Sequence, residues 1–483
     1  MQGVPDTPPL PEPADEARRR QSRLRRRIVS GVWRDDLERK CRQFFPGATV
    51  ERFGTIDTSR NLLRVVTRQL AVRYTRPWRI DAEGADLDQL DAALRDAGAM
   101  GVLTRNNRLT AALREGLVRV DWIDGGLSLR AVPADLVAAW PDSDDPTQPI
   151  RVVEARVRTL DLGKGPAPVW TWDLLDVSDP SDPIWRVLVP GEKATLATAR
   201  DVTALALGVE SASGDAYPWR VEGRGPVLPY VLYHAEGGTG RLWDTWENRE
   251  LVDGTLQTAA LWTFWAACVR DCSYSKIFGV NVEAEGAIKR GSGTSIRREL
   301  HVDPSAITFF RDKDAPGSGR FMQFGAAVDP ERLQLAIQSY EQATLMHSGL
   351  GADDFQRSGA AQSGYAISLR REVVRARQRE ADATYSRSDV RLLAICAALL
   401  NANAGANLPE AGYVVHYQGV PLSPDERAAR LEAVISKAEL GMASPVDVVL
   451  AEHPDLTRAE AAAMLETIRE ERRLFSDFLG AAT

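Results

Sequence analysis

The chain has little of what builds metal, redox or nucleotide sites. Its four cysteines, Cys41, Cys268, Cys272 and Cys396, are sparse in 483 residues. They follow no regular framework, and two of them sit four apart on a predicted helix, so they read as buried or free thiols of a reducing compartment. The five histidines, His234, His301, His347, His416 and His453, are isolated in sequence, and no pair has zinc-site spacing. A Gly-rich phosphate loop ending in Lys-Ser/Thr is missing as well. The nearest stretch, Gly291-Ser292-Gly293-Thr294, has no lysine and reads as a turn, which excludes a P-loop ATPase engine. Long apolar runs are missing too: 256–267 and 392–400 are too short to cross a bilayer, and the Pro-rich stretch 4–13 lacks the apolar core of a signal peptide. These absences predict a soluble protein with no membrane span, no metal and no other cofactor.

What is present is an ordinary globular composition, 44% hydrophobic and 26% charged, in a chain long enough for several structural units. The formal net charge is −7, with a densely basic stretch at 18–42. DNA is wrapped by clustered cations that neutralise phosphates, so an acidic chain suits DNA that passes rather than DNA that sticks.

Residues 1–15, rich in Pro, Asp and Glu, read as disordered, and 17–44 as one basic helix. Its clusters Arg18-Arg19-Arg20 and Arg25-Arg26-Arg27 suit either nucleic acid or the acidic surface of a neighbouring subunit. Helical spacing follows at 59–71 and at 87–113, with a break near Gly98 to Gly101. The period then changes: 117–123 and 127–132 alternate around Asp124-Gly125-Gly126, a hairpin signal, and further strands are predicted at 150–160, 169–175, 184–189 and 227–233. Residues 45–240 are therefore an α+β unit, helices first and strands after. A helix with an aromatic stripe is expected over 243–272, read as core or subunit packing. Within 273–328 short strands are expected at 276–282, 300–302, 307–310 and 320–324, separated by Gly/Ser loops. A strand at 412–417 and three capped helices then follow, opened by Ser423-Pro424, Ser444-Pro445 and Thr457 with Glu460.

Residues 329–405 carry the most telling pattern. Asp329-Pro330 opens a short helix, a Gly/Ser-rich loop carries Asp353, Asp354, Gln356 and Arg357, and a helix of roughly forty residues, about 60 Å at 1.5 Å per residue, follows from about Gln362. Its first half is polar all round and its second half apolar, so one end enters a core. A flexible polar loop between two rods suits a moving polymer better than a small substrate. The pair Asp353 and Asp354 lies in a solvated loop with nothing to raise a carboxylate pKa, which argues against acid/base chemistry there.

This order of parts resembles the portal proteins of tailed double-stranded DNA bacteriophages and related gene-transfer particles, the head-tail connectors, over roughly residues 45–483. The resemblance rests on the hairpin at Asp124-Gly125-Gly126 leading to Pro133, the strand 227–233, the interrupted helix pair, the phrase Ser358-Gly359-Ala360 to Tyr365-Ala366 opening the long helix, and Ile435-Ser436-Lys437-Ala438-Glu439. It implies an α+β portal-type fold: a disordered or basic arm (1–44), an α+β wing (45–243), stem helix one (244–272), a small β clip (273–328), stem helix two (329–347), a tunnel loop (348–363), a long wing helix with a strand (364–421) and a helical crown (422–483). It also implies a dodecameric ring of this chain at one capsid vertex, with the genome packaged and ejected through the axis. Its partners would be the terminase large subunit, a head-completion or adaptor protein and the major capsid protein. The chain would then reside in the virion, and in host cytoplasm during assembly, with no catalytic residues. Asp353, Asp354, Gln356 and Arg357 are the expected channel contacts, and Asp329-Pro330 the expected hinge.

Two other readings make different demands. A glycosidase-like hydrolase would use a carboxylate pair on the Trp-rich β region around Trp170 and Trp172. A DNA-binding scaffold would use the basic helix and bind with steep salt dependence.

Overall fold

The computed structural model describes residues 9–11, 16–44, 50–51, 56–163, 165–208, 213–221, 225–236, 240–243, 249–273, 276–280, 308–310, 320–324, 329–348, 364–417, 424–453 and 456–481. The chain is mixed helix and sheet, and it divides into two compact units. One comprises Met1–Ser30, Leu63–Arg249 and Ser348–Thr483, the other Gly31–Leu62 and Glu250–His347.

The basic stretch expected as one helix is two, α1 (Glu16–Ser30) and α2 (Arg34–Phe44). Gly31, at φ +89°, takes the left-handed conformation that ends α1. Residues 9–11 lie within the stretch read as disordered, yet Leu10 is buried beside Val153 and Trp172, and the Trp172 indole N–H donates to the Pro9 carbonyl at 2.8 Å. Arg20 is exposed, but most arginines of α1 are not a solvated face. Arg18 and Arg25 are buried; Arg18 donates to the carbonyls of Ala134 (3.1 Å) and Val137 (2.9 Å) and lies 3.8 Å over the Trp243 ring. Arg26 pairs with the buried Asp135 at 2.7 Å. Arg25 reaches the Ala112 carbonyl at 3.4 Å, at the end of a helix whose exposed carbonyls favour a cation. Long aliphatic stems bury while the heads find acceptors, so a run that looks basic in sequence becomes an internal strap.

In the larger unit α3 (Leu62–Leu70), strand β1 (Arg79–Ala82), α4 (Asp88–Asp96) and α5 (Ala99–Leu113) precede the sheets. Strands β2 (Glu115–Ile123) and β3 (Gly126–Pro133) form the hairpin, joined by Asp124 and Gly125, both at positive φ as a type I′ turn requires. The strands β4 (Val137–Pro141), β5 (Pro149–Asp161), β6 (Pro166–Asp176), β7 (Ile184–Val189) and β8 (Arg200–Asp201) make an antiparallel sheet in sequence order. After α6 (Thr203–Leu207) come β9 (Arg220–Val221), β10 (Gly225–Pro226) and β11 (Tyr230–His234), and β11 pairs with β2.

A charged cluster links the two larger sheets. The buried Arg119 of β2 donates to Asp121 (2.9 Å), Asp173 (2.7 Å) and the Tyr230 hydroxyl (2.9 Å), and Tyr230 donates to Glu154 at 2.8 Å. Arg130 forks onto Glu154, and Arg158 onto Asp173. Burial pushes the Asp173 carboxyl up, but Arg119 and Arg158 outweigh it and hold the group below its usual value.

In the smaller unit the helices α7 (Arg249–Ser273) and α8 (Pro330–His347) are joined by a sequence containing β12 (Lys276–Val280), β13 (Thr308–Phe310) and β14 (Arg320–Phe324), paired in the order β13-β12-β14. The expected strand at 300–302 lies outside the described residues. Back in the larger unit, α9 (Gly364–Ala404) runs 41 residues, about 60 Å. It ends in a buried apolar run from Leu392 to Leu400. Strand β15 (Tyr413–His416) pairs with β1, Arg79 opposite His416.

Three C-terminal helices close the chain: α10 (Pro424–Glu439), α11 (Pro445–Glu452) and α12 (Arg458–Ala481). Ser444 and Asp447 form a capping box on α11, and Thr457 with Glu460 caps α12 in the same reciprocal way. Ser423 lies outside the described residues.

Asp389 of α9 is fully buried and accepts from three tyrosines of distant segments: Tyr74 (2.7 Å), Tyr233 (2.8 Å) and Tyr417. Burial pushes its carboxyl up to about 6, against the pull of the hydroxyls and of Arg73. The folded state therefore binds this proton more tightly than the unfolded chain does. Its contribution to stability is full below the unfolded value near 3.8, falls as pH rises, and is lost by about pH 6. Asp389→Asn should remove this term. Thermal melts from pH 7 to 4.5 should show the variant at its best relative to wild type at pH 7, with wild type gaining on it by about 2 kcal/mol on acidification. Parallel curves would place the titration elsewhere.

Candidate functional site

The smaller unit is built around α7. Trp33, just before α2, and Leu37 and Cys41 on one face of it are buried, and burial pushes the Cys41 thiol up to about 11. Phe44 meets Phe264 edge-on at 6.0 Å. The Thr263 hydroxyl accepts from the Asp57 amide at 3.1 Å, and Arg60 lies 4.4 Å over Trp262.

On its other side α7 holds α8 through three points. The Trp262 indole donates to Glu341 at 2.7 Å, the Trp265 indole donates to the Pro330 carbonyl at 3.0 Å, and Gly254 faces Thr344. Low numbers on α7 meet high numbers on α8, so the helices are antiparallel. A Cβ on Gly254 would stand 2.3 Å from Thr344 Cγ2, so glycine is required here for the close approach of the two helices.

The expected hinge residues sit at the start of α8. The Asp329 carboxylate accepts from the Glu331 amide at 3.0 Å, an N-cap, and Pro330 takes the first helical position, where its missing N–H costs nothing. With its carbonyl bound to Trp265, this start is anchored to α7 rather than free. The loop residues Asp353, Asp354, Gln356 and Arg357 lie outside the described residues, as does most of the sequence expected as the clip.

Helix α8 has two apolar faces. Ile337, Thr344 and Leu345 are buried, whereas Leu335 (62% exposed), Tyr340 (41%) and Met346 (66%) stand in solvent with Ala336, Ser339 and Ala343 between them. At 1.5 Å per residue this ridge runs about 17 Å along the helix. Exposed apolar side chains gathered along one side of a helix mark a candidate interaction surface. Helical spacing in the sequence gives a single stripe, Leu333, Ile337, Tyr340 and Thr344, and leaves Leu335 and Met346 outside it.

Two carboxylates of the β region, Glu154 and Asp173, are bound by arginines. Both are buried, and Trp172 is buried with its N–H bonded to the Pro9 carbonyl, whereas Trp170 is half-buried. Among the described residues no group of acidic, histidine and cysteine side chains could hold a metal ion. Among the same residues no helix is long and apolar enough to cross a membrane.

No protein-family model and no curated protein matches the sequence. Among solved structures, a chain from the neck of an empty GTA (gene transfer agent) particle, computed with C6 symmetry, is similar with a TM-score of 0.43 at 10% identity, over 84% of this chain and 92% of that one. A chain from the neck of the native GTA particle, computed with C12 symmetry, gives 0.41 at 11% identity, over 83% and 91%. Similarity at this level leaves the function to be argued from the chain's own residues.

Proposed function

We propose that this chain is a structural ring subunit of the portal type, forming a channel for double-stranded DNA at one vertex of a phage-like particle. The observation that carries this reading is the order and geometry of parts. An antiparallel helix pair interrupted by a small β insertion is followed by a 41-residue helix and a capped three-helix segment, and the second helix of the pair exposes Leu335, Tyr340 and Met346. A closed ring needs two different surfaces on each chain that fit one another, and a rod with an apolar outer face supplies one of them.

On this reading 348–363 is the loop that meets DNA through Asp353, Asp354, Gln356 and Arg357. The β insertion docks the packaging terminase and later a head-completion or adaptor protein. Asp329-Pro330, anchored by Trp265, sets the direction in which the second rod leaves. The net charge of −7 fits a conduit, since a lumen that neutralised phosphates would hold the polymer. The function is mechanical and assigns no catalytic residue.

The test is the mass of the purified full-length chain in solution, with images of the same sample. About a dozen chains around an open pore support the reading, and a monomer at working concentration overturns it. A paired substitution, Leu335→Glu with Met346→Glu, should leave the monomer folded and abolish rings, because each buried charge would cost several kcal/mol at an apolar interface. Unchanged rings would remove α8 from the interface.

A further inference from the structure

Four guanidiniums and three carboxylates make up the cluster that links the two larger sheets, and the excess charge sits at one position. Arg119, Arg130 and Arg158 are matched by Asp121, Glu154 and Asp173. The fourth, Arg156 of β5, is exposed and makes no hydrogen bond or ion pair with any described residue. Strand alternation puts it on the same face as Glu154 and Arg158, opposite Thr171 of β6. Thr171 already accepts from Arg158 at 2.9 Å and donates to the Arg156 carbonyl at 3.0 Å, so it leaves the Arg156 head unsatisfied. Strand β4 begins opposite Glu154, so at Arg156 strand β5 has run past it.

Partial burial, then the neighbouring Arg130 and Arg158, hold the Arg156 guanidinium below its usual value. Like charges are crowded here, and one anion would relieve them. A single surplus cation is too little for DNA, whose binding gathers several phosphate contacts, but it matches one carboxylate.

We propose that Arg156 is an intersubunit docking point that receives a carboxylate from a neighbouring copy of this chain, an inference that rests on the ring reading above. The occupant follows from charge complementarity. The chain is acidic overall and carries exposed carboxylates such as Asp144, so a heterologous contact can set the basic spot of one copy against an acidic spot of the next. Guanidinium and carboxylate meet in a fork geometry that also fixes orientation, a useful property where each subunit must repeat the same angle.

The experiment compares wild type, Arg156→Glu, Arg156→Gln and Arg186→Glu as full-length chains, with the ring fraction measured by mass against concentration at low and high salt. Arg186 is an exposed arginine elsewhere on the same sheet, 4.0 Å from the exposed Asp201, and its reversal changes net charge equally. The expected result is that Arg156→Glu raises the concentration for half assembly by roughly tenfold at low salt, with Arg156→Gln intermediate, Arg186→Glu near wild type, and the differences closing at about 1 M salt. Thermal melts of Arg156→Gln should stay close to wild type, because the guanidinium makes no hydrogen bond or ion pair with a described residue and the nearby Arg130 and Arg158 offset the attraction of Asp173 and Glu154. Rings equal in all four proteins overturn the docking point and leave the ring reading standing. An equal loss in Arg186→Glu overturns it as a general charge effect. Unaltered rings with altered retention of duplex DNA overturn it in favour of a phosphate contact. Wild type that forms no ring overturns both readings.

Discussion

Arg119→Met is expected to destabilise the larger unit by about 3–5 kcal/mol, the cost of leaving buried carboxylates without their cation. The side chain is 2% exposed and binds Asp121, Asp173 and Tyr230, while Glu154 and Asp173 keep partial partners in Arg130 and Arg158. The loss should therefore exceed that from removing any one acid. Trp185 and Trp219 each lie with their rings 5.8 Å from the Arg119 head, so tryptophan emission during thermal or urea unfolding reports on this region. The pH dependence has a definite sign. In wild type the lowered Asp173 value contributes stability that is present above the unfolded value of 3.8 and is lost as pH falls through the lower folded value. In the variant the carboxylates titrate upward, so the gap between the two proteins should narrow below about pH 5. A gap that is small at pH 7, or constant with pH, would mean that the cluster is hydrated and not a buried lock.

The partners of Arg119 show where sequence reading stops. Local signals were legible: the hairpin turn at Asp124 and Gly125 demands positive φ, the reciprocal caps at Ser444 with Asp447 and Thr457 with Glu460 need only four consecutive residues, and the long helix declares itself by length. The mixed helix and sheet class follows from the same change of period. What could not be read depends on residues far apart. Asp389 meets Tyr74 across 315 residues, β1 finds β15 only in the fold, and Arg119 reads in sequence as one alternating polar residue of a strand. The basic clusters of α1 misled for a physical reason. Composition shows the charge on Arg18 and Arg25 but not the carbonyls of Ala134, Val137 and Ala112 that wait for it. The same limit applies to Arg156, since an arginine without a partner is conspicuous only after its neighbours have been paired.

Gly254→Leu should separate α7 from α8 and, with them, remove the platform on which the outer ridge of α8 stands. Even the first added atom would lie 2.3 Å from Thr344 Cγ2 and 2.8 Å from Thr344 Oγ1. Thr344 is β-branched, 6% exposed, and its hydroxyl donates to the Tyr340 carbonyl at 2.9 Å, so it has little freedom to turn away. Alanine at 254 would gain about 1 kcal/mol of helix propensity and lose about 1–3 kcal/mol to overpacking, giving a modest net loss. Leucine adds a side chain with no space to enter, and the expected loss rises to several kcal/mol, with the Trp262 to Glu341 and Trp265 to Pro330 bonds broken. The decisive comparison is the double variant. Thr344→Ala removes the atoms that Gly254→Ala would strike, so the pair together should recover most of the loss from Gly254→Ala alone, measured as a coupling energy in thermal or urea unfolding. Recovery of stability together with ring formation would tie the spacing of the two rods to assembly. Additive losses would show that Gly254 serves something other than the approach of α8.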